Sequence, residues 1–307
     1  DSLGFPDYSL VDLGPYLRLP MSEYVRPNAR PMQIVTSRGC VFGCTYCHRL
    51  FGREFRARSA ESVVAEIEYL NREHRINEFL IYDDIFNLDI RRAKRTFRLV
   101  LDAGVKAGFS FPNGLRAVPM DEELMSLMAR AGVHTVTVGI ESASERVREM
   151  IQRRLDLRQV EEFLLLAKRY RMRTQAFFMI GFPGEKPEEI AMTVRYARRL
   201  SSLDYAFFSF ATPYPGTELA NQALRQGLKI ELGVGSLDYY VPHVWSGRTG
   251  YRSLKWWRLT ASLAFYSTPR RIFRLLGQVG SPNFVKMYVK SALRTLHMLT
   301  WRPGAHS

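Results

Sequence analysis

The sequence predicts an α/β fold, a partial (β/α)6 TIM-like barrel followed by a helical C-terminal region. Short β-branched or aromatic runs alternate with helical patterns along residues 31–216, and such alternation argues for parallel strands joined by right-handed crossovers. The polar exceptions gather where those runs end, the face on which barrels of this kind carry their chemistry. Size and composition agree: 307 residues, 46% hydrophobic and 24% charged, can bury one large core or two smaller ones and do not describe a disordered chain. The expected organisation is a linker segment over 1–30, the barrel over 31–216 and a basic helical region over 217–307.

The elements follow in order. MQIVTS (32–37) reads as the first strand, and a loop bearing every cysteine of the chain follows it. SAESVVAEIEYLNREH (59–74) reads as a helix, and EFLIYDD (78–84) as a strand ending in Asp83 and Asp84. Asp89 is placed to cap the helix of 89–107. The strand GFSFPNG (108–114) leads to Asn113 and Arg116, and DEELMSLMARAG (121–132) is again helical. VHTVTVGIE (133–141) ends in Glu141, where Ser142 and Glu145 read as a capping box that leaves Glu141 without a capping task. A helix over 156–170, a strand over 173–181 ending in GFPG, a helix over 187–200 and a strand over 204–213 complete the alternation.

No apolar run approaches the roughly 20 residues that span a bilayer, and the start, DSLGFPDYSLVDL, lacks a basic and then apolar secretory pattern. A cytosolic protein is expected. Cys40, Cys44 and Cys47 form a poor disulfide framework, because an odd number of thiols in one loop leaves one unpaired and closes only tiny rings. Metal ligation fits better. Three thiolates at C-x3-C-x2-C can hold three irons of a [4Fe–4S] cluster and leave the fourth open. The alternative, a zinc site that adds His48, requires adjacent Cys47 and His48 to converge on one tetrahedral ion.

The run Cys40-Val-Phe-Gly-Cys44-Thr-Tyr46-Cys47 resembles the C-x3-C-x-aromatic-C motif of the radical S-adenosylmethionine (AdoMet) enzymes. The resemblance covers about residues 31–216 and includes IYDDIFNLD, FFMIGFPGE and TPYPGTEL. It is greatest to the subgroup whose barrel usually follows a cobalamin-binding domain, a group of methylases, ring-forming enzymes and tetrapyrrole or lipid modifiers. It implies a [4Fe–4S] cluster on Cys40, Cys44 and Cys47, AdoMet chelated at the open iron, and reductive cleavage to a 5′-deoxyadenosyl radical. One electron would come from a donor such as flavodoxin or ferredoxin.

The resemblance also implies roles for other residues. Tyr46 would lie near the adenine, and Asp83 or Asp84 would accept from the AdoMet ammonium. Glu141 would bind ribose hydroxyls or the methionine part, and Arg116 would pair with the carboxylate. Each has a structural alternative: packing for Tyr46, capping for the aspartates, an ordinary ion pair for Arg116. Lys186 replaces the threonine usual before Pro187, which removes an N-cap hydroxyl worth about 1 kcal/mol. The D-x-H-x-x-G signature of a cobalamin domain is absent, and the first residues resemble the linker that normally follows it. The sequence leaves a fragment and a loss of cobalamin both open.

The expected reaction is methylation, cyclisation or rearrangement at an unactivated carbon of a lipid, tetrapyrrole or secondary metabolite. RNA modification and a zinc-stabilised, non-enzymatic interaction protein are the competing readings. From Tyr239 to Ser307 there is no Asp or Glu, and eleven Lys and Arg stand there among Trp245, Trp256, Trp257 and Trp301. A helical cap on the barrel, a peripheral membrane contact and, less favoured, nucleic-acid binding all fit that composition.

Overall fold

A computed structural model describes residues 1, 4–18, 26, 29–228, 230, 242 and 250–276. Its elements begin with α1 (Leu13–Arg18), β1 (Pro31–Ile34), the short strands β2 (Ser37–Arg38) and β3 (Arg56–Ala57), and α2 (Ala60–His74). There follow β4 (Glu78–Ile81), α3 (Ile90–Asp102), β5 (Gly108–Ser110), α4 (Glu122–Ala131) and β6 (Thr135–Glu141). Next come α5 (Glu145–Met150), α6 (Leu157–Arg169), β7 (Arg173–Ile180), α7 (Pro187–Arg199) and β8 (Tyr205–Phe210). The last are α8 (Glu218–Arg225), α9 (Tyr251–Tyr266) and α10 (Pro269–Leu276). Every strand and helix expected from the alternation is present. Helices α1 and α5 and the β2–β3 ribbon are additions too short to show a period in sequence.

The chain forms two compact units, one of residues 1–42, 49–139 and 158–175, the other of residues 43–48, 140–157 and 176–307. In the first, β1, β4 and β5 pair in the order β1-β4-β5, in parallel, with Ile34 opposite Ile81 and Leu80 opposite Ser110. Two further parallel bridges, Phe109 with Val133 and Leu115 with Val138, continue the order toward β6. The core is aromatic: Phe79 stacks on Phe109 at 5.5 Å, and Phe97 meets Phe109 edge-on at 5.9 Å. Each such fully buried ring contributes about 1.5–3 kcal/mol. Polar side chains set the helix starts: Ser59 accepts from Ser62 N at 3.1 Å, Asp89 from Arg92 N at 3.0 Å and Asp121 from Leu124 N at 2.9 Å.

The second sheet has the order β6-β7-β8. Val147, Ile151, Phe182, Ala211 and Leu219 form one core cluster with Tyr46 packed against it; Ile180, Ile190, Phe210 and Leu254 form another. Two capping expectations change here. Helix α5 is capped by Ser144, which accepts from Val147 N at 3.3 Å, whereas Ser142 Oγ lies 3.1 Å from Thr193 Oγ1, so Ser142 and Glu145 form no capping box. The turn runs two residues further than the S-x-x-E pattern suggests because a neighbouring helix claims Ser142. At α7, Glu189 Oε2 accepts from Lys186 N at 2.8 Å and Pro187 stands in the first turn, which offsets the missing threonine hydroxyl.

The basic C-terminal region folds inward as far as Leu276. Arg271, 4% exposed, donates to Leu200 O at 2.7 Å, Phe265 O at 3.1 Å and Arg198 O at 3.2 Å, with its guanidinium 3.6 Å from the Phe265 ring centre. Arg274 pairs with buried Asp204. These cations fasten helices to the sheet. Trp256 is 61% exposed and Trp257 packs against the Leu254 cluster; Trp245 and Trp301 lie outside the described residues. No described helix is long and apolar enough to cross a membrane.

Candidate active site

In the first unit, the strand ends hold the start of the cysteine loop. Asp83, buried behind β4, accepts from Thr36 N at 2.6 Å, Thr36 Oγ1 at 2.5 Å and Ser37 Oγ at 2.7 Å. Arg92 reaches the same turn, donating to Thr36 O at 2.9 Å and Thr36 Oγ1 at 2.7 Å. Asp84 is exposed, and its Oδ2 accepts from Gly39 N at 2.8 Å, one residue before Cys40. Gly39 has φ +84, and a β-carbon there would stand 2.0 Å from Glu54 O, so the approach to Cys40 requires glycine. Arg116 lies with its guanidinium 3.7 Å from the Phe42 ring centre, while Asn87 clamps its backbone by accepting from Arg116 N at 3.0 Å and donating to Arg116 O at 2.8 Å.

In the second unit, Cys44, Tyr46, Cys47, Glu141 and Arg153 come together. The Cys47 thiol donates to Cys44, and with the nearby Arg153 guanidinium this holds Cys44 down at about 5 against the opposing effect of burial. Cys44 is the thiolate-prone member of the pair, and Cys47 is pushed up in consequence. Tyr46 donates its hydroxyl to Glu141 Oε1 at 3.1 Å, and its ring lies 6.1 Å from Phe182. Glu141 is 6% exposed; burial pushes its carboxyl up to about 7, opposed by Arg153 and by the Tyr46 hydrogen bond. Its φ of 66 places a non-glycine residue in the left-handed region, a cost of about 1–3 kcal/mol of the kind found at functional sites. The residue before Tyr46 is anchored twice: Thr45 N donates to Ile151 O at 3.1 Å, and Leu219 N to Thr45 O at 2.9 Å.

Two participants were not legible in the sequence. Arg153 is one of a pair of arginines after α5, indistinguishable in a basic chain from a solvated residue; in the fold, burial opposes its charge while Tyr46, Glu141 and Cys44 hold it firmly protonated. Glu185, in the GFPGE loop, accepts through Oε2 from Gly181 N at 2.7 Å and Phe182 N at 3.1 Å, and burial pushes it up to about 8. It shapes the turn that carries Phe182 to Tyr46. Beside it Arg146 reaches Glu189 Oε2 at 2.5 Å, which holds Glu189 down at about 2.

A family model described as the Radical SAM superfamily matches residues 34–197, a span that contains the cysteine loop and the strand ends just described. The chain belongs to the radical SAM superfamily. It is 34% identical to an uncharacterised methyltransferase of Pyrococcus horikoshii over 76% of this chain and 49% of that protein. It is 33% identical to the cytidylyl-2-hydroxyethylphosphonate methyltransferase of Streptomyces wedmorensis over 80% of this chain and 49% of that one. An anaerobic magnesium-protoporphyrin IX monomethyl ester cyclase of Rubrivivax gelatinosus is 27% identical over 74% of this chain and 39% of its own length. The chain thus spans about half the length, or less, of these relatives. Among solved structures, the radical AdoMet methyltransferase TsrM of Kitasatospora setae, with cobalamin and a [4Fe–4S] cluster bound, superposes with a TM-score of 0.59 at 23% identity, covering 67% of this chain and 42% of that one. The cobalamin-dependent radical enzyme OxsB superposes with a TM-score of 0.60 at 14% identity, over 87% of this chain and 46% of that one. The fold is theirs, the α/β barrel type expected from the alternation.

Radical SAM proteins use a [4Fe–4S] cluster and AdoMet, and the residues of this chain fit both. Among the described residues no three His, Cys, Asp or Glu side chains form a preformed metal cage. A cluster needs thiolates on an adaptable loop, and Cys44 is already biased to that form. The zinc alternative is less well served: His48 lies 4.9 Å from the Tyr214 ring with Nε2 3.3 Å from Pro215 O, engaged away from its neighbour Cys47.

Proposed function

We propose that this radical SAM chain binds AdoMet at a cluster held by Cys40, Cys44 and Cys47 and modifies an unactivated carbon of a small molecule, by methylation or by ring closure or rearrangement. The observation that carries the reading is the Cys44, Tyr46, Glu141 and Arg153 constellation. It gathers a thiolate, a buried carboxyl and a buried guanidinium at the end of one strand. The names of the relatives, two methyltransferases and a tetrapyrrole cyclase, support a tetrapyrrole or secondary metabolite as substrate, with a lipid as the further class. When bound, the cluster and AdoMet supply the one-electron chemistry that activates a C–H bond.

The chain's own residues bind, orient and exclude water. Arg153 offsets the thiolate charge and would pair with a carboxylate of AdoMet, a role the resemblance offers to Arg116 as one alternative; Arg116 stacks on Phe42. Glu141, held by Tyr46, accepts from ribose or ammonium. In the first unit, Asp83 positions the turn at Thr36 and Ser37, and Asp84 holds Gly39 N, one residue before Cys40. Tyr46 and Phe182 offer an aromatic wall to adenine. The electron comes from a flavodoxin- or ferredoxin-type donor. Cobalamin is suggested only by the likeness to TsrM and OxsB, and no described residue is assigned to it.

Anaerobic reconstitution tests the reading. The protein should take up about four irons and four sulfides and yield methionine from AdoMet on reduction, and Cys40→Ala, Cys44→Ala and Cys47→Ala should each abolish both. Zinc without iron in protein purified without air would refute it.

A further inference from the structure

We infer that Glu66 is a positioning residue for the cysteine loop, acting through Arg58 on the β2–β3 ribbon that leads to Cys40; the inference rests on the cluster reading proposed above and adds how the first unit seats that ligand. The ribbon is short. Ser37 pairs with Ala57 and Arg38 with Arg56, antiparallel, and Arg58 N extends the pairing by donating to Thr36 O at 3.0 Å. Gly39 and Cys40 follow directly, and Cys40 N donates to Gly52 O at 3.4 Å. Two paired residues on each strand make a ribbon too small to hold its own shape in water, so whatever fixes its end also aims the loop.

Arg58 fixes that end. Its guanidinium donates to Ser62 O at 3.0 Å and Ser62 Oγ at 3.1 Å on α2, and pairs through Nη1 with Glu66 Oε2. Its carbonyl accepts from Arg92 Nε at 2.7 Å, and Arg92 Nη2 continues to Thr36 O and Thr36 Oγ1. Glu66 is 2% exposed, whereas every other buried position of α2 is Ala, Val, Ile or Leu. Both of its oxygens are committed, Oε2 to Arg58 and Oε1 to the Tyr8 hydroxyl at 2.5 Å. Tyr8 stacks on Tyr69 at 6.3 Å and Phe5 lies 5.4 Å from the same ring, so aromatic packing of the N-terminal segment holds that hydroxyl on Glu66. Burial and the Glu66 hydrogen bond push the Tyr8 phenol up, so it remains a donor. For stability alone, apolar side chains of the same volume serve as well as a buried ion pair. What the charge adds is direction: a planar guanidinium gripped by a carboxylate and by Ser62 can point one way, and its backbone carries the ribbon with it.

Tyr8→Phe, Glu66→Gln, Arg58→Met and Glu66→Gln combined with Arg58→Met test this in the full chain. Glu66→Gln keeps the size of the side chain and loses its charge. Before cluster loading, it should speed hydrogen exchange about threefold or more over 37–40 and 56–58 and leave β4 unchanged. After anaerobic reconstitution it should weaken AdoMet binding about three- to tenfold and alter the electron paramagnetic resonance spectrum of the reduced cluster. Tyr8→Phe, which keeps its ring packing, should move each readout the same way by less. Adding Glu66→Gln to Arg58→Met should change nothing further, because Glu66 acts through Arg58. A lower melting temperature with exchange over 37–40, spectrum and AdoMet affinity all unchanged would make Glu66 a stability residue and overturn the inference. A full Glu66→Gln effect on the Arg58→Met background would overturn it as well. Should Glu66→Gln not fold, Tyr8→Phe decides by the same criteria. Failure of wild type to load a cluster or bind AdoMet refutes the proposed function instead, and the exchange comparison still reads the coupling of Glu66 to the ribbon.

Discussion

Asp83 and Glu141 both stand at the C-terminal ends of strands, both are almost inaccessible, and they are held by different means. Asp83 receives three hydrogen bonds from Thr36 and Ser37, with Arg92 closing the same network. Glu141 receives one from Tyr46, sits on strained backbone and is pushed up to about 7 by burial. A carboxylate whose acceptor sites are filled from within the fold is part of the framework that aims the cysteine loop. One that keeps accepting capacity in a desolvated place, at a conformational cost, is available to a ligand. Burial alone does not separate the two roles; the accounting of hydrogen bonds does.

Substitution should separate them most at Asp83. Asp83→Ala leaves Thr36 N, Thr36 Oγ1 and Ser37 Oγ without their acceptor and should cost about 1–3 kcal/mol of stability for each buried donor so orphaned, read by chemical denaturation, with cluster loading lost as a consequence. Glu141→Ala should retain the cluster and lose AdoMet affinity by about 1.5–3 kcal/mol, read by equilibrium binding. Unchanged affinity would move Glu141 to the framework class with Asp83. The smallest effect is expected at Glu185, which holds the turn beside Phe182. Its folded value of about 8 lies above the ordinary 4.5, so the folded protein binds this proton more tightly than the unfolded chain. Its contribution is greatest below pH 4.5 and declines as pH rises toward 8. Glu185→Gln keeps an acceptor for Gly181 N and Phe182 N and should flatten that decline in a pH series of melting temperatures.

The alternation of strands and helices was legible because its cause is local. Apolar residues at helical or strand spacing, and Asp89 or Asp121 before a helix, act within a few positions of themselves. The cysteine spacing was legible for the same reason. Arg153 was not, because a guanidinium becomes a site residue only when the chain that follows α5 brings it to Cys44 and Glu141, and nothing within its own neighbourhood distinguishes it from Arg154. Ser142 misled for a related reason: its hydroxyl is claimed by Thr193, about fifty residues away.

The basic C-terminal stretch divides the two kinds of information most plainly. The sequence by itself determined that this segment is cationic, free of acids and helical in pattern, and that three cysteines share one loop. Which charges face water was decided by the tertiary structure alone, because carbonyls at the ends of α7 and along the edge of β8 needed donors and Arg271, Arg258 and Tyr266 supplied them. The same packing buried Lys255. Charge is written in the sequence, whereas the solvation that sets its energy belongs to the fold.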